Sequence, residues 1–197
     1  MKNRQTRRLP GYNYSSPGAY FVTICVQNRE CFFGEIVNGK FLSNDAGRMV
    51  EKWWVKLPEK YPCVQCDEYV IMPNHFHGIL FILAPTVGAI PCNRPVIPCN
   101  RPVGNVDKDS IYGLGENMVS PLRGLGRYLS WFKRMTTNNY IRGVKKCGWP
   151  GFDGRLWQRN YYEHIIRNEI ELNNIRQYIK NNPIKWQNDN YYVLNKR

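Results

Sequence analysis

The sequence is short of several things, and each shortage excludes a class of protein. No apolar run approaches the length that spans a bilayer, and the basic N-terminus leads into Leu9-Pro10-Gly11-Tyr12 rather than into an apolar core of signal-peptide length. Neither a membrane protein nor an exported one is expected; the chain should work in the cytoplasm, associated with the nucleoid. Paired cysteine motifs are also missing. The seven cysteines are scattered and odd in number, with one CxxC, Cys63 to Cys66, and no second pair at zinc-ribbon spacing, so neither a disulfide framework nor structural zinc is expected. Acid is absent where base is dense. Residues 1–10 carry Lys2, Arg4, Arg7 and Arg8 without an acid, and residues 121–160 carry nine basic residues against Asp153 alone. These two segments hold nearly all of the formal net charge of +13, as a localised surface for a polyanion would, and nucleic acid is the first suspect.

Histidine is rare too, and its placement is informative. The chain has three, and two of them, His75 and His77, sit one residue apart in the apolar run YVIMPNHFHGILFIL, Tyr69 to Leu83. On a strand, side chains alternate faces, so His75 and His77 share one side and Phe76 takes the other. Two imidazoles on one face can hold one ion; the bland alternative is a pair of satisfied polar residues at a strand end.

The rest of the chain supplies a scaffold. Alternation over Tyr20 to Val26 predicts a strand. Glu35–Val37 and Lys40–Leu42 flank Asn38-Gly39, which suits a type I′ hairpin turn. A helix is predicted from Ser43 or Asn44, with Met49, Val50, Trp53, Trp54 and Leu57 as its apolar stripe and Pro58 as its end. Strands follow at Tyr69–Met72 and His75–Leu83, turning at Pro73-Asn74. From about 84 to 119 the grammar changes: the heptad IPCNRPV occurs twice in succession, too rich in proline for a helix or an interior strand. We expect a disordered or loosely extended insertion, without chemistry of its own, in a single domain spanning residues 1–197.

Ser120-Pro121 predicts the start of a second helix, with Leu122, Leu125, Leu129, Phe132 and Met135 packing and Arg123, Arg127 and Arg134 on another face. Residues 149–167 interleave Trp149, Trp157, Tyr161 and Tyr162 with Arg155, Arg159 and Arg167, an arrangement that serves either base stacking or a core with arginines at its rim. A last helix is predicted from Asn168, with Glu169 and Glu171 in its first turn, Leu172, Ile175 and Ile179 as its stripe, and Pro183 as its stop. Tyr178 and Asn182 lie one turn apart on that helix, beside the stripe. Set against His75 and His77, they complete the parts of a metal-assisted phosphoryl transfer: two imidazole nitrogens and an amide oxygen for Mg²⁺ or Mn²⁺, and a hydroxyl able to attack.

The run around His75-Phe76-His77 resembles the HUH motif of the single-tyrosine transposases, and LWQRNYYEHIIRNEIELNNIRQYIKNNP, Leu156 to Pro183, resembles the Trp-Gln, Glu-His-x-Ile-Arg and Tyr-Ile-x-x-Asn-Pro pattern of their REP-associated branch. The resemblance runs from about Arg8 to Trp186, interrupted by the insertion. It implies an α+β fold, an antiparallel β-sheet flanked by α-helices in the ferredoxin-like HUH nuclease arrangement. It implies His75, His77 and Asn182 as ligands of Mg²⁺ or Mn²⁺ and Tyr178 as nucleophile. The implied reaction is cleavage and strand transfer of single-stranded DNA beside a hairpin, through a 5′-phosphotyrosine with release of a 3′ hydroxyl. Candidate DNA contacts are Arg4, Arg7, Arg8, Arg123, Arg127, Lys133, Arg134 and Arg159.

Alternatives stay open at this point. Tyr161 and Tyr162 are rival nucleophiles, although Ile165 and Ile166 occupy the places one turn on. Nucleotide hydrolases with alternating histidines would want a third at position 79, where this chain has Ile79. A non-catalytic nucleic-acid-binding module would use the basic helix and aromatics while the histidines only pack. Monomer and homodimer, and with them an active site completed within one chain or between two, are both compatible with the sequence.

Overall fold

Strand alternation builds a sheet with two unlike faces. In the computed structural model, which describes residues 16–84 and 124–192, strand β1 (Gly18–Cys25) buries Tyr20, Val22 and Ile24 on one side and turns Phe21, Thr23 and Cys25 to the other. The hairpin follows as β2 (Gly34–Val37) and β3 (Lys40–Ser43), with Asn38 at φ 51° and Gly39 at φ 72° in the left-handed region that the turn demands. Helix α1 (Asp45–Val55) is capped by Asn44, whose Oδ1 accepts from the Gly47 N–H at 2.9 Å. It ends before Pro58, contrary to expectation. Pro58 instead sits in the first turn of a short α2 (Leu57–Lys60), where its missing N–H would have had no helical partner.

Strands β4 (Val64–Met72) and β5 (His75–Ile82) form the central hairpin, α3 (Leu125–Cys147) crosses the sheet, β6 (Tyr162–Ile166) adds an edge, and α4 (Glu169–Asn181) closes the other face. The sheet order is β4-β5-β1-β6, with every neighbouring pair antiparallel. With the β2–β3 hairpin and the short α2 set aside, the chain runs β-α-β-β-α-β through this order, which is the ferredoxin-like arrangement. The fold is therefore α+β, an antiparallel sheet flanked by helices, as expected.

Its two faces differ in content. The larger core joins Val50 and Trp54 of α1 and Leu125, Leu129, Phe132 and Tyr140 of α3 to Tyr20, Val22, Ile24, Phe76 and Leu80 of the sheet. On the opposite face α4 contributes Leu172 and Ile179, with the partly buried Ile175, to a small cluster with Phe21, Ile79 and Ile166. That smaller core leaves one end of the face for polar groups.

Several boundaries differ from the sequence reading. β4 begins five residues earlier than predicted, because a bulge between Cys66 and Tyr69 breaks the alternation that would reveal it. The CxxC pair is absorbed there: Cys63 Sγ lies 3.3 Å from the Tyr128 hydroxyl and Cys66 Sγ 3.5 Å from the Trp54 carbonyl. α3 starts at Leu125, with Gly124 at its cap; Ser120, Pro121, Leu122 and the expected insertion from residue 85 onward lie outside the described residues. β6, unpredicted, is too short to show a period. Of the interleaved aromatics, Trp157 is buried and Trp149 and Tyr161 pack against the larger core, which is the rim-and-core arrangement; Tyr162 is exposed. Among the described residues, no helix is long and apolar enough to cross a membrane.

Candidate metal and tyrosine site

The polar end of the α4 face is built from β5 outward. His75 pairs with Cys25 and Met72, and His77 with Thr23 and Val70, so both imidazoles project beneath α4. Their Nε2 atoms stand 3.0 Å apart. Each Nδ1 has a partner: Asn74 Oδ1 at 2.9 Å for His75, and Thr23 Oγ1 at 2.8 Å for His77. The Asn74 amide can take only one orientation, because its Nδ2 donates to the Tyr191 carbonyl at 2.8 Å and the Arg29 carbonyl at 3.1 Å. Its Oδ1 must therefore accept, which places a proton on His75 Nδ1 and a lone pair on Nε2. Thr23 can donate or accept, so His77 is free to do either: donate from Nε2 to His75, or keep its proton on Nδ1 and offer Nε2 as a ligand.

Helix α4 brings the other two expected groups. Asn168 caps it by accepting from the Glu171 N–H at 2.8 Å. Tyr178, half exposed, sets its hydroxyl 3.4 Å from His77 Nε2 and its ring edge-on to Phe21 and His77. Asn182 keeps helical angles, φ −59° and ψ −44°, although Pro183 follows, against the usual bias of a residue before proline. Its side chain is buried and donates to Tyr178 and Asp189. Its Oδ1 has no hydrogen-bond partner among the described residues.

A third group able to bind a cation, and the one acid among them, lies outside the set expected from the sequence. After α4 a single 3₁₀ turn, Trp186–Asn188, leads the chain back over the histidines, and Asp189 Oδ2 comes within 3.8 Å of His75 Nε2. The ligand atoms of His75, His77 and Asp189 all lie within 4.8 Å of one another. The signal was available: Asp189 is the one acid after Glu171 in a basic C-terminal stretch. Its fold-back onto β5 could not be read from the local pattern. Trp186 and Tyr191 cover the site from the same segment, their rings 5.8 and 4.7 Å from that of His75, and both histidines are fully buried.

These residues fit a divalent cation. Two nitrogens held ~2.1 Å from one ion at a right angle stand roughly 3.0 Å apart, which matches the observed pair. The buried Asn182 oxygen has no hydrogen-bond partner among the described residues, and a mixed set of imidazole nitrogens and carboxylate oxygen suits a divalent cation that takes N and O ligands rather than one that seeks thiolates. The electrostatics point the same way. Burial holds His77 down to about 3 and, with the nearby His77 and Arg29, holds His75 well below its usual value, so both imidazoles are neutral donors. Burial, then the Asp189 charge, raises the Tyr178 phenol, opposed by the Asn182 amide. Burial also raises Asp189, opposed by hydrogen bonds from the Tyr191 N–H and Asn182. A cation among them offsets each of these penalties.

One consequence is testable in the metal-free protein. Because burial depresses the folded-state pKa of both histidines, the unfolded chain binds more protons below pH ~6.5, and stability present above that pH is lost as pH falls. For His77 the loss reaches about 2 kcal/mol by pH 5. With chelator present, the melting temperature should fall steadily from pH 7 to pH 5, and His77→Gln should show a shallower fall. A flat profile would mean that the histidines are not held neutral in the fold.

The basic residues expected to contact DNA lie elsewhere. α3 covers the sheet face opposite Tyr178, so its cations do not border the metal-ligand cluster. Arg134 is exposed, Arg127 lays its guanidinium over Tyr61 at 5.4 Å, and Arg159 is exposed on the segment leading to β6. Lys133 turns inward: its Nζ donates to the Gln158 and Arg159 carbonyls at 2.5 and 3.0 Å, and burial lowers it to about 8. Its ammonium is committed to holding that loop rather than free for phosphate. Arg4, Arg7, Arg8 and Arg123 lie outside the described residues. Tyr162, one rival nucleophile, shares the α4 face but touches Phe21 instead of a histidine; Tyr161 packs against the core on the other side. His164 Nε2 is bonded to Glu171 Oε1 at 2.6 Å, tying β6 to the first turn of α4.

Comparison with known proteins adds a relative. Over 194 residues, 98% of this chain and 95% of the other, the sequence is 40% identical to an uncharacterized protein of Haemophilus influenzae Rd. The two chains belong to one family. No protein-family model matches this chain. Among solved structures, a REP-associated tyrosine transposase bound to a REP hairpin is similar at 19% identity and a TM-score of 0.48, over 91% of this chain and 74% of that one. A candidate transposase from Deinococcus radiodurans R1 is similar at 13% identity and a TM-score of 0.43, over 89% and 97%. Likenesses this distant carry no weight in assigning the site, which stands on its own geometry.

Proposed function

We propose that this protein is a metal-dependent endonuclease and strand transferase acting on single-stranded DNA beside hairpins, with Tyr178 as its nucleophile. The observation that carries this reading is the convergence of His75 Nε2, His77 Nε2 and the Asp189 carboxylate beside a half-exposed tyrosine hydroxyl. The HUH resemblance and the basic composition supply the substrate class. His75, His77 and Asp189 would hold Mg²⁺ or Mn²⁺, with the free Asn182 oxygen as a fourth ligand. When bound, the ion supplies charge neutralisation at a scissile phosphate and at the phenolic oxygen.

The remaining work belongs to the chain. Phe21 and His77 fix the plane of the Tyr178 ring, so the hydroxyl meets a phosphate seated over the histidines without a search among rotamers. Asn182 donates to the phenolic oxygen and favours its charged form. As the bond from Oη to phosphorus forms and the bond from phosphorus to the 3′ oxygen breaks, the phenolic proton passes to solvent and the departing oxygen takes one up from solvent. That oxygen leaves as a 3′ hydroxyl, and a 5′-phosphotyrosine keeps the phosphodiester energy for rejoining. Since Trp186, Asp189 and Tyr191 cover the histidines, a phosphate approaches from the exposed Tyr178 side or after residues 186–192 shift.

The test is a labelled hairpin oligonucleotide with a single-stranded flank, incubated with Mn²⁺ or Mg²⁺ and run on a denaturing gel. A metal-dependent covalent adduct supports the reading. The complete burial of His75 and His77 favours a second reading, a DNA-binding module whose histidines only pack; tight binding that is indifferent to metal, with no adduct, would establish it instead. DNA contact by α3 makes a separate prediction: Arg134→Ala should weaken single-strand binding and reduce the slope of log K against log salt by about 0.7. An unchanged slope would move the phosphate contact away from this face.

A further inference from the structure

The β4 bulge and two cations of α4 form a clamp that has no part in the ligand set. Between Cys66, paired with Leu80, and Tyr69, paired with Gly78, two residues of β4, Asp67 and Glu68, oppose the single residue Ile79. In a regular strand these two neighbours would face opposite sides of the sheet; the extra residue lets both reach α4. Asp67 Oδ2 accepts from Arg176 Nε at 2.9 Å and from Arg176 Nη2 at 2.7 Å. Glu68 Oε1 lies 3.0 Å from Lys180 Nζ. The remaining Arg176 nitrogen goes to Asn173 Oδ1 at 3.2 Å.

Helical geometry turns this clamp into a lever. At ~100° per residue, Arg176 and Lys180 lie about 40° apart on one shoulder of α4, and Tyr178 lies about 160° from each on the other shoulder. Between them runs the narrow stripe of Ile175 and Ile179, and α4 buries only Leu172 and Ile179 fully. A stripe that narrow resists lifting of the helix more than rolling about its axis. The ion pairs on one shoulder oppose the roll that would carry Tyr178 away from His77 on the other. Exposed ion pairs usually contribute little to stability, but orientation is a different demand, and a misplacement of ~1 Å can cost ~10²-fold in rate.

We propose that Asp67 and Arg176, supported by Glu68 and Lys180, are positioning residues that set the roll of α4 and so aim Tyr178 at the metal site. This rests on Tyr178 being the nucleophile, and the test keeps the two ideas apart. The rate of adduct formation at saturating oligonucleotide, the KM, and equilibrium DNA binding are measured for Arg176→Gln, for Asp67→Asn and for the double variant Asp67→Arg with Arg176→Asp. In parallel, 3-fluorotyrosine introduced at position 178 reports ring position by ¹⁹F NMR.

Each single variant should lose roughly 10- to 100-fold in rate, with KM and binding within about twofold of wild type. The charge-exchanged pair should recover most of the rate. The fluorine resonance should broaden or move in the single variants and return in the exchanged pair. If a variant does not fold, Arg176→Lys replaces it; it keeps the charge but loses the two-nitrogen grip on Oδ2, and an intermediate rate is expected. Wild-type rates with an unmoved resonance overturn the clamp and leave the nucleophile untouched, as does a loss of rate that the folded exchanged pair fails to recover. If wild type forms no adduct but the resonance still follows the clamp, the positioning stands and the nucleophile assignment falls.

Discussion

Tyr178→Phe should abolish the covalent protein–DNA adduct, a loss of at least ~10³-fold in adduct formation, while DNA binding and the melting temperature stay near wild type. The substitution removes one oxygen from a half-exposed side chain. The ring contacts with Phe21 and His77 survive, and the hydroxyl gives up only a long 3.4 Å contact and the Asn182 amide donor. Little folding energy is at risk, so lost chemistry cannot be mistaken for lost fold. The measurement is a denaturing gel with 5′- and 3′-labelled hairpin oligonucleotides, which also shows which fragment the protein carries. An adduct that persists in Tyr178→Phe would transfer the role to Tyr162, the other tyrosine exposed on the α4 face.

The second large effect concerns the ion. Mn²⁺ affinity, measured by calorimetry or electron spin resonance, should fall by more than ~100-fold in His77→Ala and by ~10- to 100-fold in Asp189→Asn, with Asn182→Ala weaker than either. The order matters more than the sizes. Asp189 brings a full charge to within 3.8 Å of His75 Nε2, whereas Asn182 brings one amide oxygen whose own nitrogen is already engaged. In wild type, saturating Mn²⁺ at ~100 Kd should add about 2.7 kcal/mol of stability, and that increment should be absent in His77→Ala. If Asn182→Ala proves far more damaging than Asp189→Asn, the ligand set implied by the motif is correct and the fold-back of residues 186–192 is incidental to metal binding.

Both predictions draw on residues that were unequally legible. His75 and His77 could be placed on one face because strand alternation is local, and the pairing registers with β1 and β4 merely carry that alternation into three dimensions. Tyr178 and Asn182 were legible for the same reason, one helical turn being a short-range rule. The Asn-Gly hairpin, the start of α4 at Asn168 and the stripes of α1 and α4 belong with them. Where a reading failed, the local signal was ambiguous or broken: Pro58 suits the first turn of a new helix as well as the end of an old one, and the β4 bulge hid the first half of its strand.

What the sequence by itself determined is the chemistry on offer: two imidazoles on one strand face, a phenol and an amide on one helix face, and a strongly basic composition suited to a polyanion. Only the tertiary structure decided which of these meet. Sheet order puts α4 and α3 on opposite faces, so the tyrosine stands over the histidines while the cationic helix does not. It also returns Asp189 across the sheet to His75, and it points Lys133 into a loop. The physical reason is that local periodicity fixes which way a side chain leaves its own backbone, whereas the neighbour it meets depends on strand order and on chain reversals, whose energies are set by burial across the whole fold.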